Sequence, residues 1–350
     1  MTDRPALPLL DGPPDRWMRA RWFFAAGTTL ATVALMAWGA FVTSIDAGLA
    51  VPDWPTSFNS LDPFNPWPGW WDIIPIRAEH GHRLMGGLVG LLTAGLMVWT
   101  LLAEKRRWVR RLSVGAFALV LVQGLLGGLR VVWVSLDLAV VHAFLAQVFF
   151  AVVVGLTLFH SASWQRLTIP WPASPSRSRL KGLTAFTVLA VYLQVVFGAL
   201  LRHPGTGIDF LLASTHIVWA FVVAALVVAS ATFISLNYRA NRLLVRTYRV
   251  AIGLLIIQFI LGLTAYAVNL DATGFVVASN LQVIVNSTHM VFGALLTATT
   301  VVQALVALQG APESSAGHTR PAGDTADGAR DASIDGTIDG PTEESVATHI

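Results

Sequence analysis

Residues 211–236 read LLASTHIVWAFVVAALVVASATFISL, a mainly apolar run whose only ionisable side chain is His216. A helix needs about 20 mainly apolar residues to cross the hydrocarbon core of a bilayer. Seven further stretches meet this requirement. They lie at roughly 22–44, 82–103, 112–134, 138–160, 182–202, 250–268 and 286–308. None of them has the polar stripe at helical period that a soluble helix shows. The sequence therefore predicts an all-α integral membrane protein with eight transmembrane helices.

The composition excludes several classes of protein. Only 12% of the 350 residues are charged, against about 25% in a typical soluble domain. The basic residues are separated by long apolar runs and do not line one face, which argues against binding to nucleic acid. Cysteine is absent, so disulfides, thiolate metal sites and iron–sulfur clusters are excluded. Any metal or cofactor must be held by His, carboxylate or Met.

The distribution of charge predicts the orientation in the membrane. The first 310 residues contain 12 acids and 21 bases. The segments between successive spans alternate between the two sides of the membrane, and 17 of the bases lie in the segments on one side. The span ends and loops on the other side contain four bases, namely Arg77, Arg83, Arg130 and Arg202. By the positive-inside rule, we expect a multi-pass protein of the cell membrane with both termini in the cytoplasm. The long loop 45–78 then lies outside.

The two halves of the chain share a set of residues in the same order. The matching pairs are Gly39 with Gly198, His82 with His216, the Gln123–Gly127 run with Gln258–Gly262, and His142 with His289. Each pair has the same orientation, which indicates a parallel repeat of a four-helix unit. We therefore predict two bundles, 22–161 and 182–308, joined by a cytoplasmic linker, 162–181. A cytoplasmic segment, 1–21, precedes them, and a disordered acidic cytoplasmic tail, 309–350, follows.

Four of the nine histidines, His82, His142, His216 and His289, are expected at one depth, near the outer ends of even-numbered spans. Ionisable groups inside a membrane are costly and favour a functional interpretation. Imidazoles from two helices of a bundle are suited to hold both faces of a heme iron. Each half has one such pair, His82 with His142 and His216 with His289, whereas a structural zinc would need all four together. His160, His318 and His349 are interpreted as structural or solvated, and His203 is left open.

A carboxylate accompanies the histidine in the first half only. Glu79 precedes His82 by three residues and shares its helix face, whereas Ala213-Ser214-Thr215-His216 has no acid. Glu79 is a candidate proton acceptor or donor. The alternatives are a first-turn acid favoured by the helix dipole or a partner of Arg83 or Arg77. We expect some of the outer arginines Arg83, Arg130 and Arg202 to pair with heme propionates.

At these positions the sequence resembles the heme A synthase family. The matching elements are Gly48-Leu49-Ala50-Val51-Pro52-Asp53-Trp54-Pro55, Glu79-His80-Gly81-His82-Arg83 with Gly86 and Gly90, Gln123-Gly124-Leu125-Leu126-Gly127 with His142, Gln258-Phe259-Ile260-Leu261-Gly262, and Thr288-His289. The resemblance covers roughly 22–308. Two features depart from it: no cysteine pair is present in the first outer loop, and Val42-Thr43-Ser44-Ile45 stands where the family often has an Arg-Leu-Thr run.

The resemblance implies an enzyme that oxidises the C8 methyl group of heme O to a formyl group and supplies heme A to terminal oxidases. It implies that His82 and His142 hold the substrate heme, that Glu79 is catalytic, and that His216 and His289 hold a heme b. Expected partners are a heme O synthase, terminal oxidase assembly factors and an electron-transfer partner of unknown identity.

Two other functions remain open at this stage. A diheme b-type cytochrome that exchanges electrons with quinone explains the four histidines without any change to the heme. A transporter or heme-handling chaperone is the other alternative. Only the synthase explains a carboxylate confined to one half.

Overall fold

The computed structural model describes residues 16–65, 67–165, 175–202, 209–270 and 278–309. Its helices are α1 (Arg16–Ser44), α2 (Gly69–Asp72), α3 (Ile74–Ala103), α4 (Arg107–Val132), α5 (Leu136–His160), α6 (Ala162–Gln165), α7 (Pro175–Arg202), α8 (Phe210–Asn237), α9 (Arg242–Leu270) and α10 (Asn280–Leu308). These ranges contain no β-strand, only an isolated bridge between Ser57 and Ser60.

Eight of the described helices are long and apolar enough to cross a membrane, which confirms the predicted fold class. They are all of the helices except the short α2 and α6. The membrane helices extend beyond the apolar stretches that predicted them. For example, α3 begins at Ile74 instead of 82, and α10 begins at Asn280 instead of 286. Hydropathy marks the hydrocarbon layer, whereas backbone hydrogen bonds continue the helix into more polar surroundings.

Three of the four histidine-bearing helices begin with a side-chain cap. Ser135 accepts a hydrogen bond from the N–H of Leu138 at the start of α5, and Asp209 caps α8 in the same way. Ser279 and Gln282 form a reciprocal capping box at the start of α10. Such caps satisfy N–H groups that have no partner within the helix. Helix α3 has no side-chain cap and carries a proline in its first turn.

The membrane helices pack as neighbours within each half of the chain. In the first half, α1 contacts α3 and α5, and α4 contacts α3 and α5. In the second half, α7 and α9 each contact both α8 and α10. Contacts of α1 and α5 with α10, and of α5 with α7, join the halves. The interpretation as two parallel-related bundles remains a prediction that these contacts support.

Because successive membrane helices alternate in direction, the molecule has two ends. We call the end at which α1, α4, α7 and α9 finish the histidine end, and the opposite end the arginine end. At the arginine end, Glu104 forms ion pairs with Arg106 at 2.9 Å and with Arg21 at 3.6 Å. Arg106 also donates to the carbonyl of Phe159 at 2.7 Å. This cluster ties α1, the α3–α4 turn and α5 together.

His160 belongs to the same cluster. Its side chain is fully buried, with Nε2 3.2 Å from the hydroxyl of Thr100 and Nδ1 3.7 Å from Glu104. Of the two interpretations offered by the sequence, structural and solvated, the burial of this histidine supports the structural one.

Several sequence-based predictions concern residues outside the described ranges. They include most of segment 1–21, residues 166–174 of the linker, the tail from 310 onward, and His203, His318 and His349.

The Glu104 cluster generates a prediction about stability. Burial raises the pKa of Glu104, but hydrogen bonds from the side chain and backbone N–H of Arg106 outweigh it and hold the pKa at about 2. Because the pKa of this carboxyl is lower in the folded protein than its ordinary value of 4.5, its ionised form stabilises the fold at pH values above 4.5. This stabilisation is lost as the pH falls towards 2. We expect Glu104→Gln to cost about 1–3 kcal/mol at pH 6, with the difference from wild type shrinking towards pH 3.

Thermal unfolding in detergent at pH 6 and pH 3 measures this effect. Asp137→Asn, at an exposed carboxylate of α5, is the matched control and should leave the unfolding temperature nearly unchanged. A Glu104→Gln protein as stable as wild type at pH 6 would show that the cluster contributes nothing.

Candidate functional site

The four candidate histidines lie inside their helices, deeper than the sequence predicted. His82 and His289 follow the first residues of α3 and α10 by eight and nine positions, and His142 and His216 follow those of α5 and α8 by six. With a rise of 1.5 Å per residue, each imidazole lies about 9–14 Å along its helix. The depth is similar in all four cases because each helix extends past its apolar stretch at the histidine end.

Each histidine ring rests against a glycine of the preceding membrane helix. A methyl group added at the glycine would lie 2.9–3.2 Å from Cε1 of the ring. The four contacts are Gly39 with His82, Gly127 with His142, Gly198 with His216, and Gly262 with His289. The sequence repeat paired these glycines between the halves without giving a reason for them. The structure gives the specific reason, since any side chain there would displace the imidazole.

A glutamine stands four residues before three of these glycines and faces the same histidines. The Gln194 amide donates to the backbone carbonyl of His216 at 3.0 Å, and the Gln258 amide donates to that of His289 at 2.8 Å. Gln123 faces the carbonyl of His142 at 3.2 Å. The comparison of the two halves of this sequence identified Gln123 and Gln258 as matching residues but did not identify Gln194. The Gln-x-x-x-Gly spacing in α7 was the signal that would have found it.

The second-half pair has a spacing suited to one metal between two imidazoles. The ring centroids of His216 and His289 are 6.4 Å apart, with the ring planes at 73°. Two imidazoles on opposite sides of a metal, with metal–nitrogen bonds of about 2 Å, have centroids roughly 6 Å apart. Within the described residues, no group of three or more His, Cys, Asp or Glu side chains converges. The geometry therefore suits a ligand held by two histidines, not a four-ligand metal site.

Three of these histidines also have a buried ring nitrogen without a partner. Nδ1 of His82, His216 and His289 makes no hydrogen bond within the described part of the chain, whereas Nδ1 of His142 lies 3.1 Å from the carbonyl of Gln123. Burial of an unpaired polar group is costly. These rings thus retain binding capacity that the protein itself does not use, which fits an axial-ligand role.

Glu79 is buried one turn before His82, and both of its carboxylate oxygens are engaged. Oε2 accepts the backbone N–H of Val51 at 2.8 Å, and Oε1 accepts Nη2 of Arg83 at 2.8 Å. Of the alternatives raised by the sequence, the partnership with Arg83 is present and that with Arg77 is not among the ion pairs of the described residues. Glu79 therefore connects the loop that follows α1 to the helix that carries His82.

Arg83 extends this connection. Its guanidinium donates to the backbone carbonyls of Val51 at 2.8 Å, Asp53 at 2.7 Å and Thr56 at 3.3 Å. The planar guanidinium carries five donors, so one arginine can hold several turns of a loop. Loop 45–68 is thus fixed over the histidine end of the first half.

Asp53 orders the turn inside this loop. Its carboxylate accepts the backbone N–H groups of Phe58 and Asn59, each at 2.8 Å. Both residues have positive φ, 54° and 58°, which fits a two-residue turn of type I′. Slight burial raises the pKa of Asp53, but hydrogen bonds from Thr56, Asn59 and Phe58 outweigh it and hold the pKa below its ordinary value.

The tryptophans of the loop divide into two groups. Trp67 and Trp71 are exposed, as expected for rings at the headgroup level. Trp70 is buried, and its ring centroid lies 4.9 Å from that of His80. Trp54 lies directly on Gly128 of α4, where an added methyl group would come within 2.2 Å of the indole.

The two remaining arginine candidates also bind backbone carbonyls. Arg130 donates to the carbonyl of Gly48 at the start of the loop. Arg202 is directed towards α1 and α10, where it donates to the carbonyls of Ala40 at 2.8 Å and Asn286 at 3.3 Å. Arg83 and Arg130 thus serve the same loop, whereas Arg202 lies where the two halves meet.

Comparison with known proteins agrees with the motifs and the helices. Residues 76–211 match the family model of the cytochrome oxidase assembly proteins (COX15-CtaA). A protein named heme A synthase from Exiguobacterium sibiricum is 33% identical over 186 residues, 52% of this chain and 59% of that protein. One of the same name from Bacillus licheniformis is 25% identical over 277 residues, 72% of this chain and 87% of that protein.

Over these residues the chain is similar to the cytochrome oxidase assembly family and to proteins named heme A synthase. This confirms the resemblance seen in the motifs. The family match includes Glu79, both first-half histidines and all three arginine candidates, and it ends before His216. The matches to the Exiguobacterium proteins and to a heme A synthase from Symbiobacterium thermophilum span less than two thirds of the length of those relatives.

The contact between Trp54 and Gly128 generates a prediction about the loop. We expect Gly128→Ala to displace the indole and to expose loop 45–68 to protease, because the added methyl group occupies the space of the ring. Gly124→Ala on the same helix is the matched control, since a methyl group there has no contact within 4 Å. Limited proteolysis of the two variants tests the prediction. Equal cleavage rates would show that the tryptophan does not hold the loop.

Proposed function

We propose that this protein oxidises the C8 methyl group of heme O to a formyl group and so produces heme A for terminal oxidase assembly. The observation that carries the proposal is the asymmetry at the histidine end: two equivalent pairs of histidines, with a buried carboxylate beside only the first of them among the described residues. The names of the relatives support the choice of reaction. An electron-passing cytochrome requires the histidines but not the carboxylate.

In this proposal each half holds one heme. His216 and His289 hold a heme b, with the 6.4 Å ring separation as support. His82 and His142 hold the substrate heme O. A heme b held in this way supplies one-electron redox chemistry. The glycine contacts orient all four rings before either heme binds.

Glu79 is the proposed catalytic residue. Conversion of a methyl group into a formyl group, through an alcohol and a hydrated aldehyde that loses water, takes up one oxygen atom from water. It releases four protons and four electrons. The electrons pass to the electron acceptor proposed as a partner, and the protons require an acceptor at the site. Glu79 lies one turn from His82 and is held by Val51 and Arg83. The equivalent position in the second half is Ala213, so only the first half has this acceptor.

The outer arginines are the proposed partners of the heme propionates. Arg83 directly follows His82, and Arg130 and Arg202 lie in the last turns of α4 and α7 at the histidine end. Arg130 uses only Nη2 in its bond to Gly48 among the described residues, and a guanidinium has five donors. Further donors therefore remain for a carboxylate. The carbonyl contacts fix each guanidinium in place, which favours bidentate binding.

We also propose the membrane arrangement predicted from the loops. The arginine end faces the cytoplasm with both termini, and the histidine end faces outward, in the cell membrane. The division into a substrate half, 22–161, and a heme b half, 182–308, belongs to the same proposal. A heme O synthase would supply the substrate, and assembly factors of the terminal oxidase and an electron acceptor would be the further partners.

Co-expression with a heme O synthase, followed by extraction and pigment analysis of the hemes, tests the reaction. We expect heme A with the wild-type protein and heme O alone with Glu79→Gln, a loss of at least about a hundredfold, because general acid–base groups contribute about 10²–10⁴ in rate. Gly128→Ala serves as the comparison, since it disturbs loop 45–68 but keeps the carboxylate.

The outcomes separate the competing interpretations. Heme O left unmodified by the wild-type protein would favour the electron-passing cytochrome. Full heme A formation by Glu79→Gln would contradict the catalytic role. A loss in Gly128→Ala as large as that in Glu79→Gln would indicate that Glu79 acts by anchoring the loop.

The glycine contact provides a test of the heme b half. The Cβ of an alanine at Gly198 would lie 3.1 Å from Cε1 of His216, so the ring must shift by a few tenths of an ångström from the position proposed for a ligand. We expect Gly198→Ala to lose most of the low-spin heme b signal per mole of protein. Gly182→Ala, on the same helix with no contact within 4 Å, should retain it. Equal signals in the two variants would contradict the assignment of His216.

A further inference from the structure

The glutamines of the Gln-x-x-x-Gly motif contact more than the histidine carbonyls. The Gln194 amide nitrogen also lies 3.2 Å from Nε2 of His216. With the Gln123 amide turned to the orientation that satisfies its hydrogen bonds, its nitrogen lies 3.0 Å from Nδ1 of His142. One side chain thus ties two helices together at the level of the ligand and restrains the ring itself. Gln258 provides the same tie to the backbone of His289.

The motif is broken at the fourth site. The residue four positions before Gly39 is Leu35. Its side chain packs with the apolar cluster that contains Val89 and Phe149 and has no hydrogen-bonding group to offer. The bond from Trp38 Nε1 to the carbonyl of Ala78, at 2.8 Å, joins α1 and α3 one turn closer to the histidine end. The backbone carbonyl of Leu35 faces the His82 ring, as that of Gln123 faces the ring of His142. What the His82 ring lacks is the restraint of a glutamine side chain.

Space is also open beside His82. Gly86 and Gly90 follow it on nearly the same helix face, and a methyl group added at either would meet no atom within 4 Å in the described part of the chain. The corresponding residues after His216 are Ala220 and Ala224. A ring that swings away from its ligand position therefore has room on α3.

We propose that Gln123, Gln194 and Gln258 are positioning residues that hold three histidine ligands in place, and that Leu35 makes His82 the releasable ligand. Heme in the first half is then exchanged by detachment from His82 while it stays on His142. The inference rests on the proposed function, because a substrate heme must enter and leave, whereas a resident heme b is retained. We assign the difference between the exchanged and the retained heme to one position, the residue four places before the glycine that contacts each histidine.

Release of heme b to apomyoglobin, followed by absorbance, tests the proposal without any catalytic turnover. A His216→Ala/His289→Ala protein confines heme b to the first half, and a His82→Ala/His142→Ala protein confines it to the second. We expect faster release from the first half. Leu35→Gln should slow that release about fivefold, the effect of one neutral hydrogen bond. Leu35→Met, of similar volume but without a donor, should not slow it.

The reciprocal substitution, Gln194→Leu, keeps the proposal testable if Leu35→Gln does not fold. Gln194→Leu in the second-half protein should speed release about fivefold. Unchanged release in both Leu35→Gln and Gln194→Leu overturns the positioning role, and if Leu35→Gln does not fold, the result for Gln194→Leu decides. A first half that binds no heme b in the His216→Ala/His289→Ala protein overturns the heme-binding function and this inference with it. Equal release from two loaded halves overturns this inference alone.

Discussion

The contact between a histidine ring and a glycine on the neighbouring helix is the interaction on which the histidine end depends. The backbone hydrogen bonds of a spanning helix are made within that helix. Whether an imidazole fits between two helices therefore depends on the side chains of the neighbouring helix. Glycine has no side chain, and it leaves this space at four equivalent places, Gly39, Gly127, Gly198 and Gly262. Each contact sets both the distance between two helices and the direction of one ring.

The first loop depends on a second constraint, a single buried carboxylate. Glu79 binds the N–H of Val51 and the guanidinium of Arg83, which in turn holds three loop carbonyls. The proposed proton acceptor is therefore also the anchor of the loop that covers it. Such an arrangement fixes the carboxylate beside His82, and it does so without a disulfide, since the chain has no cysteine.

The two halves share a plan but differ where the proposed functions differ. Both place a histidine against a glycine in two helix pairs. The first half alone has the Glu79 carboxylate, the Gly86 and Gly90 space and Leu35 in place of a glutamine. A duplicated unit with these changes has the means to treat one heme as a substrate and the other as a resident group. In the proposed function four residues, Leu35, Glu79, Gly86 and Gly90, carry that difference.

The sequence alone determined the eight spans and the absence of thiol chemistry, because hydropathy and composition are properties of the chain itself. It also identified Glu79 as a feature of one half. The tertiary structure decided what these residues touch. The Val51–Glu79 bond, the Trp54–Gly128 contact and the placement of Arg202 against α1 join residues 28 to 162 positions apart. Such contacts depend on how helices pack, and a hydropathy pattern does not contain that information.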